Sequence, residues 1–169
     1  MMKKTAIILG SDSDMAIAEK SMNVLKRLGI SYEAHIISAH RTPERAREFA
    51  VNARKNNFGV IIAIAGKAAH LAGVLAAYTR LPVIGVPVKS SDLGGLDALL
   101  STVQMPSGVP VSCVAIDGGE NAAWLAARIL AVSDDELAEK LERESQIMTE
   151  NVNTKDKTLQ EKLNREQEL

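Results

Sequence analysis

The chain has 169 residues, of which 46% are hydrophobic and 24% charged, with a formal net charge of −1. This length predicts one soluble globular domain that buries roughly 70% of the surface of its unfolded chain, a core that requires no disulfide or metal. The balanced charge and the 3% aromatic content exclude a typical nucleic-acid binder, which carries a basic excess and rings for base stacking.

Short apolar segments alternate with amphipathic helices along the first part of the chain. Residues 5–9 form a continuous apolar run that ends at Gly10, which is typical of a strand buried on both faces. Residues 15–28 repeat apolar side chains every three or four positions and stop at Gly29, which predicts a helix. The same alternation predicts strands at 31–37, 60–65, 82–86 and 111–116, and helices at 44–55, 68–78, 93–103 and 121–132.

This alternation predicts a mainly parallel sheet with right-handed crossovers and helices on both faces. The expected fold is a three-layer α/β domain, flavodoxin-like or Rossmann-like, over residues 1–133. Ligands of such folds bind at the carboxyl ends of the strands. The loops after the first three strands, at residues 10–14, 38–43 and 65–70, are therefore the candidate functional segments.

The last 36 residues differ in composition from the rest. Residues 1–133 carry 14 basic and 10 acidic side chains, whereas residues 134–169 carry 6 and 11. Ser133, followed by three acidic residues, predicts a helix N-cap. The apolar pattern of this helix breaks at residues 151–154. We expect residues 134–169 to form a helical extension that packs on neighbouring subunits rather than a frayed end.

The location of the protein is indicated by three sequence features. The lone cysteine, Cys113, cannot form an internal disulfide, and its apolar neighbours predict an inert, packed thiol. The first apolar run is too short for a signal peptide, and no stretch approaches the roughly 18 apolar residues that a membrane-spanning helix needs. We expect a cytoplasmic protein without a membrane partner.

The loop at residues 10–14 reads Gly-Ser-Asp-Ser-Asp between a strand and a helix. Glycine permits a tight turn, serine hydroxyls and helix N–H groups can hold a phosphate, and a carboxylate can accept hydrogen bonds from ribose hydroxyls. For one such turn taken alone, helix capping is the commoner role. The absence of G-x-G-x-x-G argues against a nicotinamide or flavin dinucleotide.

The other two loops contain the candidate catalytic groups. His40 can exchange protons near neutral pH and the adjacent Arg41 can bind phosphate; the position of His40 makes catalysis as good an interpretation as a surface role. Gly66-Lys67 is not a nucleotide P-loop, because Ala68 stands where a hydroxyl residue is required. His70, one turn into the next predicted helix, is either a pocket residue or a helix histidine. His35, within a strand, is expected to be structural.

Five motifs in chain order together resemble one known family. They are Gly-Ser-Asp-Ser-Asp, Ser-Ala-His-Arg-Thr-Pro, Ala-Gly-x-Ala-Ala-His-Leu, Pro-Val-Ile-Gly-Val-Pro-Val and Val-Gln-Met-Pro-x-Gly-x-Pro-Val, and they run from about Thr5 to Leu130. On these motifs the chain is identified as a member of the N5-carboxyaminoimidazole ribonucleotide mutase family, class I of the phosphoribosylaminoimidazole carboxylase catalytic subunits.

The resemblance implies an enzyme of purine biosynthesis that moves a carboxylate from N5 to C4 of an aminoimidazole ribonucleotide, without cofactor or metal. It implies that His40 is the general acid/base, that Ser11 and Arg41 bind the 5′-phosphate, and that Asp14 binds the ribose. The other substrate-binding residues implied are Gly10, Ser13, Ser38, Gly66, Lys67, Ala68, Ala69, His70 and Leu71. It further implies a homo-octamer whose ligand is this small ribonucleotide, not a nucleic-acid polymer.

The third loop departs from the usual family pattern Gly-Gly-Ala-Ala-His-Leu-Pro-Gly at two positions. Lys67 replaces a glycine and Ala72 replaces the proline. Lys67 either points to solvent or places a positive charge near the migrating carboxylate. Two alternative functions stay open: direct carboxylation of 5-aminoimidazole ribonucleotide by CO2, as in the second branch of the family, and a flavodoxin-like module that binds a nucleotide without catalysis.

Overall fold

The computed structural model describes residues 3–167 and contains a sheet of five parallel strands with helices on both faces. The strands are β1 Lys4–Leu9, β2 Tyr32–Ile36, β3 Phe58–Ala65, β4 Val83–Pro87 and β5 Ser112–Cys113. The helices are α1 Met15–Leu28, α2 Pro43–Asn52, α3 Leu71–Tyr78, α4 Leu96–Val103, α5 Gly119–Ala131 and α6 Asp135–Gln167. A short 3-10 turn, Asp12–Asp14, precedes α1.

The strand order β2-β1-β3-β4-β5 is that of flavodoxin-like folds. Because both faces of the sheet are covered, successive residues of one strand enter different cores. Ile7 and Leu9 of β1 pack in the core shared with α1 and α5, whereas Ala6 and Ile8 pack in the core shared with α2 and α3. This two-sided burial explains why β1 is a continuous apolar run, and it confirms the expected three-layer architecture.

The first strand-helix unit agrees most closely with the sequence prediction. Helix α1 has the predicted bounds, because Gly29 adopts a left-handed φ of 73° and its N–H bonds to the carbonyls of Leu25 and Lys26. Helix α2 begins at Pro43, one residue before the predicted start, and proline suits the first turn of a helix. The helix ends at Asn52, three residues before the predicted end, and β3 begins at Phe58 rather than at residue 60.

Two predicted helix starts are wrong because the backbone turns to positive φ, and one predicted strand is shorter than expected. Helix α3 begins at Leu71 rather than at residue 68, since Ala68 has φ 50°. Helix α4 begins after Gly95 rather than at residue 93, since that glycine has φ 95°. Strand β5 has two residues instead of six, and the chain turns shortly after it at Asp117, with φ 57°. These turns lengthen the loops at the carboxyl edge of the sheet.

Helix α6 is continuous, so the predicted break at residues 151–154 is wrong. The Thr154 hydroxyl donates to the Glu150 carbonyl at 2.8 Å, which satisfies this side chain within the helix. The N-cap is Asp134 rather than Ser133, because its Oδ1 accepts the N–H of Leu137 at 3.0 Å. Leu137 is fully buried in the core beside α5. Among residues 3–167, no helix is both long and apolar enough to cross a membrane.

Candidate active site

The three candidate loops meet at the carboxyl edge of the sheet. Strands β1 and β3 are neighbours there, and the Gly10 N–H donates to the Ile64 carbonyl at 2.9 Å. The chain leaves β1 toward one side and β3 toward the other, which opens a crevice between their loops. A cavity of about 720 Å³ occupies this crevice.

Most of the residues selected from the sequence line this cavity. Eleven of the thirteen do so: Gly10, Ser11, Ser13, Asp14, Ser38, His40, Arg41, Gly66, Lys67, Ala68 and Leu71. The other two, Ala69 and His70, lie next to it in the third loop, Ala69 being buried. Ala39 and Ala65, which belong to the predicted loops but not to the implied binding residues, also line the cavity, as do residues 88–91, which were not predicted. The last four follow β4, so the rule that located the first three loops also applies to them.

The first loop both caps a helix turn and contributes to the cavity. Ser11 has an extended backbone, and its Oγ accepts the N–H of Ser13 at 3.3 Å, which confirms the capping role. Asp14 is only 6% exposed, and its Oδ1 accepts a hydrogen bond from the Ser13 hydroxyl at 3.3 Å. Burial raises the pKa of Asp14 above its ordinary value, with the Ser13 hydrogen bond acting in the opposite direction.

The second loop is held by hydrogen bonds between its two ends. The Thr42 hydroxyl donates to the Ser38 carbonyl at 2.9 Å and accepts the Ser38 N–H at 3.1 Å. The Ser38 hydroxyl in turn accepts the N–H of Arg41 at 3.2 Å. These bonds close the turn just before Pro43 starts α2. They fix the backbone of His40 and Arg41, both of which line the cavity.

The third loop places the imidazole of His70 beside the imidazole of His40. His70 Nδ1 lies 3.0 Å from His40 Nε2, and the rings are nearly perpendicular, at 87°. His70 precedes α3 instead of lying within it, because Ala68 is left-handed and its carbonyl accepts the His70 N–H at 2.7 Å. The interpretation of His70 as a helix histidine is therefore wrong. In a neutral pair one ring donates its N–H and the other accepts, so the pair holds a proton between them.

Lys67 forms an ion pair with a residue of the loop after β4. Its Nζ contacts Asp92, in the loop after β4, and both side chains are 64% exposed. The hydrogen bond from Lys67 lowers the pKa of Asp92 and, reciprocally, raises the pKa of Lys67. The pair thus joins two loops that border the cavity and neutralises the charge that distinguishes this loop from the usual family pattern.

The remaining candidate residues lie apart from the cavity. His35 contacts Glu33 at 3.4 Å and the Phe49 ring on the β2 edge, as befits a structural residue. Cys113 is half-buried and donates its thiol to the Val114 carbonyl at 3.4 Å, and burial raises its pKa. Within residues 3–167, no three His, Cys, Asp or Glu side chains converge as a metal-binding group.

Comparison with known proteins extends the similarity over nearly the whole chain. The family model described as AIR carboxylase matches residues 4–151. The N5-carboxyaminoimidazole ribonucleotide mutase of Pyrococcus horikoshii is 55% identical over 155 residues, which cover 92% of this chain and 88% of that protein. The Thermotoga maritima protein of the same name is 49% identical, with coverage of 95% and 94%. The crystal structure of Treponema denticola PurE superposes with a TM-score of 0.84 at 32% identity, covering 92% and 97%.

Proposed function

The chain belongs to the AIR carboxylase family, and from this premise we propose that it is a 5-(carboxyamino)imidazole ribonucleotide mutase of purine biosynthesis. Curated relatives at 49–55% identity carry this name. The observation that carries the proposal is the His40–His70 pair at the cavity between β1 and β3. This pair offers a mobile proton where a ribonucleotide base would lie.

The phosphate and ribose would bind on the β2 and β1 side of the cavity. Ser11 and Arg41 approach from the two adjacent loops and would hold the 5′-phosphate through a hydroxyl and a guanidinium. Asp14, nearly buried at the start of α1, would accept hydrogen bonds from the ribose hydroxyls. The remaining lining residues of these loops, Gly10, Ser13 and Ser38, would contribute backbone contacts and small hydroxyls.

At the base end, His40 would serve first as acid and then as base. The N5–carboxylate bond breaks to release CO2, its electron pair stays on N5, and His40 supplies the proton that N5 takes up. The nucleophilic C4 then attacks the retained CO2 to form the new C–C bond, and His40 removes the hydrogen left on C4. His40 gives up one proton and takes one back, so it ends in its starting state. The reaction is also redox-neutral, and we propose that no cofactor or metal takes part.

The third loop would confine the CO2 between these two steps. Its small residues Gly66, Ala68 and Ala69 leave room for the molecule, and Leu71 at the start of α3 closes the apolar side. Confinement matters because a neutral molecule that leaves the site is lost, whereas one held beside C4 reacts with a large orientational advantage. Backbone N–H groups of this loop would stabilise the developing carboxylate.

Turnover separates an enzyme from a module that only binds nucleotides. We expect His40→Asn to lower the rate with the N-carboxylated ribonucleotide at least about a hundredfold, while ligand affinity changes little. Full activity of His40→Asn would contradict the acid/base role. An inactive wild-type protein that still binds the ligand would instead favour the binding module.

We further propose a homo-octamer in which the extension at residues 134–169 packs on neighbouring subunits. Beyond the buried first turn of α6, five large apolar side chains are exposed. Four of them fall at spacings of four and seven residues and so form one stripe, Met148, Val152, Leu159 and Leu163, and Ile147 lies beside Met148. Helix α4 and the residues before it expose another apolar face, comprising Leu93, Leu96, Leu100 and Val103. A monomer in light scattering at micromolar concentration would contradict the assembly.

A cytoplasmic location completes the proposal. Cys113 is a free, half-buried thiol in the described part of the chain, and a free thiol suits a reducing compartment. Recovery of the activity in a membrane fraction or in a secreted fraction would contradict this location.

A further inference from the structure

Three basic residues line the cavity, and each follows a different strand. Arg41 lies in the loop after β2, Lys67 in the loop after β3, and Lys89 in the loop after β4. Lys67 is paired with Asp92. Across residues 3–167, no carboxylate lies within ion-pair distance of Arg41 or Lys89. Two cations of the cavity are therefore available to a ligand.

These two cations lie at opposite ends of the cavity. In the strand order β2-β1-β3-β4-β5, three strand spacings separate β2 from β4. Three spacings amount to about 14 Å between the ends of these strands. A ligand that paired with both cations would need two anionic groups, one at each end of the ligand.

The backbone of Lys89 is fixed while its side chain stays exposed. Its N–H donates to Asp117 Oδ1 at 2.9 Å, and the Asp117 N–H donates to the Pro87 carbonyl at 2.9 Å. On the other side Gly95 packs so closely that a Cβ there would lie 3.1 Å from Lys89 Cα. The backbone of Lys89 is thus already ordered in the free protein, and less entropy is lost when its ammonium binds a ligand.

We propose that Lys89 binds the carboxylate of the ligand, opposite Arg41 at the phosphate, so that the cavity selects a carboxylated ribonucleotide over its uncarboxylated form. The inference rests on the proposed function, because it assumes that the base end of the ligand occupies the β3 and β4 side of the cavity. A hydrogen bond between an ammonium and a carboxylate is among the stronger polar contacts in proteins. The uncarboxylated ribonucleotide lacks this partner but retains the phosphate and ribose contacts.

Calorimetric titration of two ligands tests the selection. The ligands are 4-carboxy-5-aminoimidazole ribonucleotide and 5-aminoimidazole ribonucleotide, measured on the full chain. We expect Lys89→Gln to weaken binding of the carboxylated ligand about tenfold and to leave binding of the other within about twofold. Lys89→Arg should retain most of the selectivity. Lys20→Gln, which removes an exposed lysine on α1, should behave as the wild type.

Two results would contradict the role of Lys89, and a third would contradict its premise. Equal weakening of both ligands by Lys89→Gln, or no weakening of either, would overturn the proposed contact. A wild-type protein that fails to turn over the N-carboxylated ribonucleotide would refute the proposed function itself. Thermal melts of Lys89→Gln and Lys89→Arg, expected to match the wild type, show that any loss comes from the contact and not from unfolding.

Discussion

His40 Nε2 lies 3.0 Å from His70 Nδ1, although the two residues follow different strands and 30 positions separate them in sequence. The contact depends on the strand order, because β2 and β3 flank β1 and their loops bend toward each other over it. It also depends on the left-handed Ala68, which keeps His70 out of helix α3. A general acid/base at His40 therefore has a partner that fixes its ring.

Replacing His70 should separate orientation from binding. We expect His70→Ala to lower kcat about tenfold with little change in KM, because the His40 ring loses its hydrogen-bonded partner while the phosphate and ribose contacts remain. His70→Asn, whose amide can still bond to the ring, should recover part of the loss. Steady-state kinetics of both variants test this, and a rise in KM at constant kcat would show that His70 acts only in binding.

Breaking the Lys67–Asp92 pair from either side should have opposite effects on an anionic substrate. Lys67→Ala leaves the Asp92 carboxylate alone at the cavity rim and should raise KM about two- to fivefold, whereas Asp92→Asn frees the lysine and should lower KM by a similar factor. Both effects should fade at high salt, and the melting temperature should hardly change because the pair is exposed. Changes of the same sign in both variants would contradict this account.

Removing the charge of Asp14 should stabilise the unliganded protein and weaken its binding of the ribonucleotide. Burial raises the pKa of Asp14 in the folded state, so its ionised form destabilises the fold above that pKa, and the penalty disappears below the pKa of an unfolded aspartate. We expect Asp14→Asn to melt higher than the wild type at neutral pH, with the difference vanishing in acid. Its ribonucleotide affinity should fall. Equal melting temperatures at neutral pH would contradict the prediction.

Gly119 should tolerate no side chain. A Cβ there would lie 2.3 Å from the Ile17 carbonyl oxygen, in the contact between α1 and α5, and its own carbonyl accepts a buried hydrogen bond from Ser21 at 2.7 Å. We expect Gly119→Ala to destabilise the protein by about 3 kcal/mol in a denaturant titration. Gly10→Ala is the control, since its nearest contact would be 3.6 Å, and it should fold with nearly wild-type stability.

Local patterns predicted the elements whose ends are set by their own residues. Helix α1 ends at Gly29 as predicted, because a left-handed glycine cap depends on one residue that can be recognised in the sequence. The rule that ligands bind at the carboxyl ends of strands selected loops that do meet at one cavity. The same rule, applied to β4, would have found Lys89.

Features that depend on distant partners were not predictable from sequence. The late start of α3 follows from the positive φ of Ala68, a residue whose high helix propensity predicts the opposite conformation. The ion pair of Lys67 joins residues 25 positions apart across a loop that begins after another strand. The continuity of α6 was missed because Asn and Thr disfavour helices on average, whereas Thr154 here bonds back within the helix.

The most direct test of the mutase assignment is turnover by the wild-type enzyme in buffer depleted of bicarbonate. Two substrates are compared: N5-carboxyaminoimidazole ribonucleotide and unmodified 5-aminoimidazole ribonucleotide. A mutase obtains its CO2 from the carboxylated substrate. We therefore predict conversion of N5-carboxyaminoimidazole ribonucleotide at a rate that added bicarbonate does not raise, with negligible conversion of 5-aminoimidazole ribonucleotide. Turnover of the unmodified ribonucleotide alone, in proportion to added bicarbonate, would contradict the mutase and establish direct carboxylation.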